Sequence, residues 1–317
     1  MVPPARITHN ADARTRAAPS RMPSLTPTQL PRSGILALIA LCAVWGYTWV
    51  ILKEGLRFAD PWDYSALRTL PGALLLFLIA KLRGENLALQ SPGRVFMLAL
   101  WQTTAFNALV SWALVSGAAG KTAVLVYTMP FWTLLIAWPV LGERIRGAQW
   151  LAVALSAAGL LLVIEPWSLE GTPQANLLAL LTGVSWAISA VLTRRWRAHL
   201  AVGTFALTAW QMLLGSLVLV VCAQFLSTRT VEWTPYFWFL LCYATLFGTV
   251  LGWALWFYVL KLLPAGVAGL AVMAVPAVGV LSSRLQLGEQ PGAVESAGMV
   301  LIGASLAVLS WGALRKR

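Results

Sequence analysis

Charged side chains are scarce in this chain of 317 residues. Only 11% of the residues are Asp, Glu, Lys or Arg and 59% are hydrophobic, against about 25% and about 45 to 50% in soluble domains. The apolar residues also occur in long runs, whereas a soluble helix has one polar and one apolar face. This composition excludes a water-soluble globule and indicates an all-α integral membrane protein.

Groups suited to metal or acid–base chemistry are also few. The two histidines, His9 and His199, lie in polar segments, and the three cysteines lie singly in apolar runs without CxxC spacing. We therefore expect no catalytic residue, no metal site and no cofactor, and the protein should not be an enzyme.

Residues 1–32 contain six prolines, five arginines and one acid, which predicts a disordered cytoplasmic tail. A transit peptide is the alternative reading of an arginine-rich segment, but the prolines oppose the amphipathic helix that it needs. Ten apolar runs follow, and each should be a membrane-spanning helix because lipid cannot satisfy free backbone groups. They cover 33–52, 63–80, 94–115, 121–140, 147–164, 174–193, 203–225, 235–259, 264–284 and 291–311.

The basic residues indicate orientation in the membrane. If the amino end is placed inside, seventeen Lys and Arg residues fall on the cytoplasmic side and five on the other. We therefore expect a multi-pass protein of the cell (inner) membrane with both termini in the cytoplasm. The net charge of +12 then reflects topology and contact with membrane lipid, and nucleic acid is not an expected partner.

The chain repeats internally. Pro130 pairs with Pro276 and Gly142-Glu143 with Gly288-Glu289 at one offset of 146 residues, and Trp45 pairs with Trp186 at an offset of 141. Two five-helix units follow, at 33–164 and 174–311. Because five crossings are odd, the second unit enters the bilayer upside down, and such inverted repeats favour alternating access to a central site.

Several segments resemble those of a known family. They are AVWGYTWVILK in the first span, ALRTLPGALLLFL in the second, YTMPFWTLLIAWPVLGE closing the fourth, and their counterparts in the second half. The chain resembles the ten-span EamA-type members of the drug/metabolite transporter superfamily over nearly its whole length after the tail. The resemblance implies a permease or exporter of small metabolites, often amino acids, with a cavity between the halves. VSGAAGKTAVLVYTMP keeps the family's small-residue turn only loosely.

Acids are missing from the middle of the runs. Glu54, Glu143, Glu165, Glu289 and Glu295 all lie at or near run ends, so a buried carboxylate relay for protons has no obvious position. Glu165 or Glu295 could still carry a proton near the outer face. Since lysine is also absent from the middle of the runs, we expect a neutral or zwitterionic cargo.

Polar and aromatic residues inside the runs are candidates for substrate binding. Thr103, Asn107 and Ser111 recur every four residues and share one helix face, which should point inward. Thr249 and Trp253 lie on one face of the eighth span, where Trp253 is the repeat mate of Asn107. For each polar residue, a hydrogen bond between helices is the alternative to a binding role.

Five further candidates lie in other spans. Trp45 and Trp186 are repeat mates that could form aromatic walls, and packing between helices is the alternative. Arg68 could bind a substrate carboxylate, or reach the outer headgroups and pair with Asp60 or Asp63. Its repeat mate Gln211 is the better candidate for the cavity. Tyr127 precedes Pro130, which leaves a carbonyl of the preceding turn unpaired.

These patterns together predict a secondary transporter. We expect it to export small neutral or zwitterionic metabolites such as amino acids by alternating access. A membrane sensor or structural protein without transport activity is the alternative. A homodimer is a further possible partner arrangement.

Overall fold

The computed structural model describes residues 31–145, 147–165, 172–200, 202–263, 267–268 and 272–315, and these hold helices and no strand. The predicted tail falls outside them, except for residues 31 and 32. The helices are α1 (Arg32–Gly55), α2 (Pro61–Leu82), α3 (Pro92–Ser116), α4 (Ala119–Leu141), α5 (Ala148–Ile164), α6 (Pro173–Arg195), α7 (Thr204–Leu226), α8 (Pro235–Leu262), α9 (Ala274–Leu287) and α10 (Ala293–Arg315).

Seven of these helices, α1 to α4 and α6 to α8, are long and apolar enough to cross a membrane. Helix α5 and the segment Ala293–Val308 of α10 are apolar but shorter. The predicted ninth span, 264–284, begins among residues outside the described part, and α9 accounts for its second half. Each predicted span therefore overlaps a helix, while ten crossings stay a prediction.

Local sequence explains where the helices begin. Proline occupies the first position of α2 and α8, where its missing N–H removes one donor that would have no helical partner. Just before these prolines, the Asp60 carboxylate accepts from Trp62 N at 3.1 Å and Thr234 Oγ1 accepts from Phe237 N at 3.1 Å. Side-chain caps of this kind satisfy the free N–H groups of a first turn.

The two repeat-mate glycines end α4 and α9 in the same way. Gly142 has φ 70° and ψ 15°, and Gly288 has φ 70° and ψ 14°. This left-handed conformation costs little only in glycine, which explains the glycine at both positions. Helix α4 is also interrupted between Val126 and Met129, directly before Pro130.

Two helices contain π-helical turns. In α3 the turn covers Leu100–Ala105, and in α8 it covers Tyr243–Leu251. A π turn uses i→i+5 hydrogen bonds, is rare, and is frequently found at functional sites. The two turns overlap at the repeat offset of 146 residues, so both copies carry the same irregularity.

The helices of the two halves pack in corresponding pairs. Helix α2 packs on its mate α7, α4 on its mate α9, and α5 on its mate α10. Helix α1 packs on α8 and α9, and its mate α6 packs on α3 and α4. The two halves therefore contact each other through matching elements.

The same correspondence holds for single residues. A Cβ added to Gly72 of α2 would lie 2.8 Å from Thr249 Cγ2 of α8, and a Cβ added to Gly215 of α7 would lie 2.5 Å from Thr103 Cβ of α3. Gly215 follows Gly72 by 143 residues and Thr249 follows Thr103 by 146. In each half, a glycine thus packs against a threonine of the other half.

Candidate functional site

A cavity of about 150 Å³ lies among seven helices that come from both halves of the chain. Eight of the ten predicted site residues line it, namely Trp45, Arg68, Thr103, Asn107, Tyr127, Trp186, Thr249 and Trp253. The structure thus gathers residues that are far apart in sequence around one space, which we call the central cavity.

Aromatic rings from four helices form one wall of the central cavity. The rings of Trp186 in α6 and Trp253 in α8 stack with centroids 5.8 Å apart at an interplanar angle of 17°. Trp45 of α1 meets Trp253 edge-on at 6.2 Å, and Phe106 of α3 lies 5.3 Å from Trp186. Indole Nε1 of Trp45 also donates to the Gly248 carbonyl at 3.0 Å, which fixes the ring against the π turn of α8.

Arg68 projects from α2 into the central cavity. Its side chain is 6% exposed, and its Nε and Nη2 have no hydrogen-bond partner among the described residues. None of the ion pairs in this part of the chain includes it. The ring of Tyr64 lies 6.0 Å from Cζ. Arg68 is therefore buried among the helices in this structure, whereas one sequence interpretation expected it to extend towards the outer headgroups.

Asp60, one of the two aspartates that could have paired with Arg68, is engaged elsewhere. The Asp60 carboxylate accepts from Trp62 N at 3.1 Å and from Thr228 N at 3.2 Å, so it caps α2 and holds the loop before α8. Of the acids in the described part of the chain, none is a lining residue of the central cavity. Among the described residues, Arg68 is therefore the only one with a basic or acidic side chain that lines this cavity.

Hydroxyl and amide groups form the polar part of the lining. Asn107 Nδ2 donates to the Thr103 carbonyl at 2.6 Å, within the segment where the π turn of α3 gives way to α-helix. Thr249 Oγ1 donates to the Ala244 carbonyl at 3.1 Å within the π turn of α8. These backbone bonds fix the side-chain rotamers of both residues.

Ser111 and Gln211 lie outside the central cavity, although both were predicted for the site. Ser111 is 2% exposed, and its Oγ lies 2.8 Å from Oγ of Ser65, a contact that joins α3 to α2. Gln211 is 3% exposed and is not a lining residue, whereas the next residue, Met212, is. Ser111 thus has the interhelical contact that was its alternative reading.

Sequence reasoning missed several lining residues. Thr48 and Gln102 are polar residues within apolar runs, and the rule that singled out Thr103 could have found both. Gln102 Oε1 accepts from Ser189 Oγ at 3.1 Å, which links α3 to α6. Trp49, Phe106, Met129 and Met212 gave no separate signal, because apolar residues are common throughout these runs.

A second polar cluster lies at the connection between α3 and α4. The Glu289 carboxylate accepts from Ala119 N at 2.7 Å and from Gly120 N at 3.0 Å, so it caps the start of α4. Lys53 Nζ donates to the carbonyls of Leu114 at 2.6 Å and Gly117 at 2.9 Å. Lys53 thus ties α1 to the end of α3, and Glu289, which follows α9, ties the end of α9 to the start of α4.

The repeat mate of Glu289 has another partner. Glu143 pairs with Arg194 at the end of α6, and both side chains are about half exposed. The described residues include no group of three or more His, Cys, Asp or Glu side chains that could hold a metal ion.

The sequence profile of the EamA-like transporter family matches residues 32–165 and 174–311. The chain belongs to the EamA-like transporter family. It is thus a multi-pass membrane protein of a transporter family, and a solved crystal structure has the same fold. The match covers 90% of this EamA-family chain and 99% of the chain in that structure. The two have a TM-score of 0.65 and are 19% identical in sequence.

Curated relatives of this EamA-family protein are named as transporters. The uncharacterized transporter YoaV of Bacillus subtilis is 29% identical over 81% of this chain and 89% of its own. The uncharacterized inner membrane transporter YedA of Escherichia coli is 26% identical over 86% and 90%. A probable amino-acid metabolite efflux pump of Escherichia coli is 27% identical over 89% of this chain and 95% of its own.

Proposed function

We propose that this protein is a secondary transporter of the cell (inner) membrane that exports small neutral or zwitterionic metabolites, such as amino acids, by alternating access. The observation that carries the proposal is the central cavity, which residues of both halves line with aromatic, polar and cationic groups. Polar groups within a membrane-spanning bundle are costly unless they face protein or a ligand. A binding site for a small polar molecule accounts for this lining.

The pairing of corresponding helices supports alternating access. An odd number of crossings in each repeat would relate the halves by a two-fold axis in the membrane plane. The reciprocal contacts of Gly72 with Thr249 and of Gly215 with Thr103 agree with such an axis. Rocking the halves about these glycine contacts would open the central cavity to one side and then to the other.

Export is supported by the relative in Escherichia coli that is named a probable amino-acid metabolite efflux pump. The excess of Lys and Arg in alternate loops supports a topology with both termini in the cytoplasm. Cysteines introduced as Arg197→Cys and Thr230→Cys in a background without Cys42, Cys222 and Cys242 test this orientation. We expect an impermeant thiol reagent added to intact cells to label position 230 and not 197.

Flux into proteoliposomes tests transport itself. A panel of radiolabelled amino acids is measured with and without a proton gradient, and Trp138→Ala, which changes a tryptophan that is 48% exposed, provides a matched control. We expect saturable flux for at least one amino acid in the wild type and the control variant. Binding of an amino acid without any flux would instead favour a sensor.

A further inference from the structure

The charge of the central cavity is unbalanced. The described residues that line it include Arg68 and no Asp, Glu or Lys. A buried arginine in a folded protein is normally paired, because an isolated buried charge is expensive. Nε and Nη2 of Arg68 have no partner among the described residues, and the nearby Asp60 is bound to backbone N–H groups. The site is therefore complementary to an anion.

The chemistry of arginine narrows the class of anion. The guanidinium offers parallel N–H donors in a planar fork that matches a carboxylate, and such pairs are among the strongest hydrogen bonds in proteins. A phosphate ester or a dicarboxylate would bring a second negative charge, and no second cation lines the described cavity. A single carboxylate fits the charge of the site.

The remainder of the lining suits an apolar body. Trp45, Trp186 and Trp253 present an aromatic wall, and Met129 and Met212 are adaptable apolar neighbours. A volume of about 150 Å³ is comparable with that of an apolar protein cavity that binds benzene. The body of the ligand is therefore limited to a branched aliphatic chain or about one ring.

The lining has no matching anchor for an amino group. An ammonium group would find the faces of tryptophan rings and neutral oxygen atoms, whose attraction is weaker than that of a carboxylate partner. Recognition of an amino acid thus depends on its carboxylate end. Carboxylates of the same shape that lack the amino group meet the same requirement.

We infer that the central cavity selects small monocarboxylates, with the carboxylate bound by Arg68 and the apolar body packed against Trp45, Trp186 and Trp253, and that it does not require an amino group. This inference rests on the proposed function, whose substrate class it revises: uncharged metabolites are excluded, and amino-free carboxylates are added to the zwitterionic amino acids.

Matched ligand series test the inference. For leucine and phenylalanine, the amino acid is compared with its amide, which lacks the carboxylate, and with 4-methylpentanoate or 3-phenylpropionate, which lack the amino group. Affinities for the purified full-length protein in lipid nanodiscs are measured by thermal stabilisation. In at least one series, we expect the amide to bind about ten- to a hundredfold more weakly than the amino acid, and the amino-free acid to bind within about threefold of it.

Variants of Arg68 identify the group responsible. Arg68→Gln should abolish the difference between acid and amide, and Arg68→Lys should retain part of it. Arg57→Gln, which changes an arginine that is 70% exposed, is the matched control and should leave the difference intact. Amides that bind as tightly as acids, no acid binding in either series, or a difference that persists in Arg68→Gln would each overturn the inference.

Flux separates this inference from the proposed function. The same ligands are tested as competitors of flux in proteoliposomes. If acids and amides compete equally, transport stands and selection by the carboxylate fails. If acids bind through Arg68 and no flux occurs, selection stands and transport fails.

Discussion

Replacing Arg68 by methionine should stabilise the protein while removing its ligand response. Burying an unpaired charge costs several kcal/mol after relaxation, and the contact with the Tyr64 ring at 6.0 Å offsets about 0.5 to 2 kcal/mol. Methionine keeps much of the apolar stem, so little packing is lost. We therefore expect Arg68→Met to raise the free energy of unfolding by about 1 to 3 kcal/mol.

Equilibrium unfolding in mixed micelles measures this change. Arg57→Met is the control, because Arg57 lies in a solvent-accessible ion pair with Glu54 and its replacement should change stability by less than about 1 kcal/mol. With 4-methylpentanoate at a hundred times its dissociation constant, the wild type should gain about 2.7 kcal/mol and Arg68→Met nothing. A loss of stability in Arg68→Met would refute the reasoning, because it would show that the guanidinium stabilises the packing of the helices.

Three further predictions concern packing, capping and the aromatic wall. Gly215→Ala would place a Cβ 2.5 Å from a side chain of the other half. It should destabilise the protein by about 1 to 3 kcal/mol in the same unfolding assay. Gly303→Ala is the control and should not destabilise the protein, because a Cβ there would have nothing within 4 Å. Glu289→Ala removes two hydrogen bonds to the start of α4 and should lower the free energy of unfolding by about 0.5 to 2 kcal/mol. Glu143→Ala breaks an exposed ion pair, and a larger loss of stability in that variant would contradict this expectation. Trp186→Ala should reduce flux at least tenfold with normal membrane insertion, and unchanged flux would remove the aromatic wall from the proposed site.

The helices were largely predictable because hydropathy acts on each segment by itself. An apolar run of about 20 residues has few alternatives to a helix in lipid, and the duplicated Gly-Glu pair marked the ends of α4 and α9. Gly142 and Gly288 indeed end these helices with nearly identical dihedral angles. Exact helix ends were less predictable, because they depend on caps such as Thr234 that polarity alone does not identify.

The site was less predictable because it depends on which way each side chain points. Because Arg68 could extend to the headgroups, its neutral repeat mate Gln211 was the better candidate for the cavity, yet Arg68 lines the central cavity and Gln211 does not. A fixed spacing of four residues placed Ser111 with Asn107, but Ser111 is bound to α2 through Ser65. Pairwise offsets identify equivalent backbone positions, whereas differences between the two copies decide which side chain faces the cavity.

The π turns of α3 and α8 have a geometric consequence for the spacing of residues. Each residue of an α-helix advances about 100° around the axis, and a π turn holds more residues in each turn than this. Side chains before and after Leu100–Ala105 are therefore out of phase with a uniform helical wheel. Deleting one residue from this segment would rotate the first turns of α3, including Arg94, about the helix axis relative to Asn107.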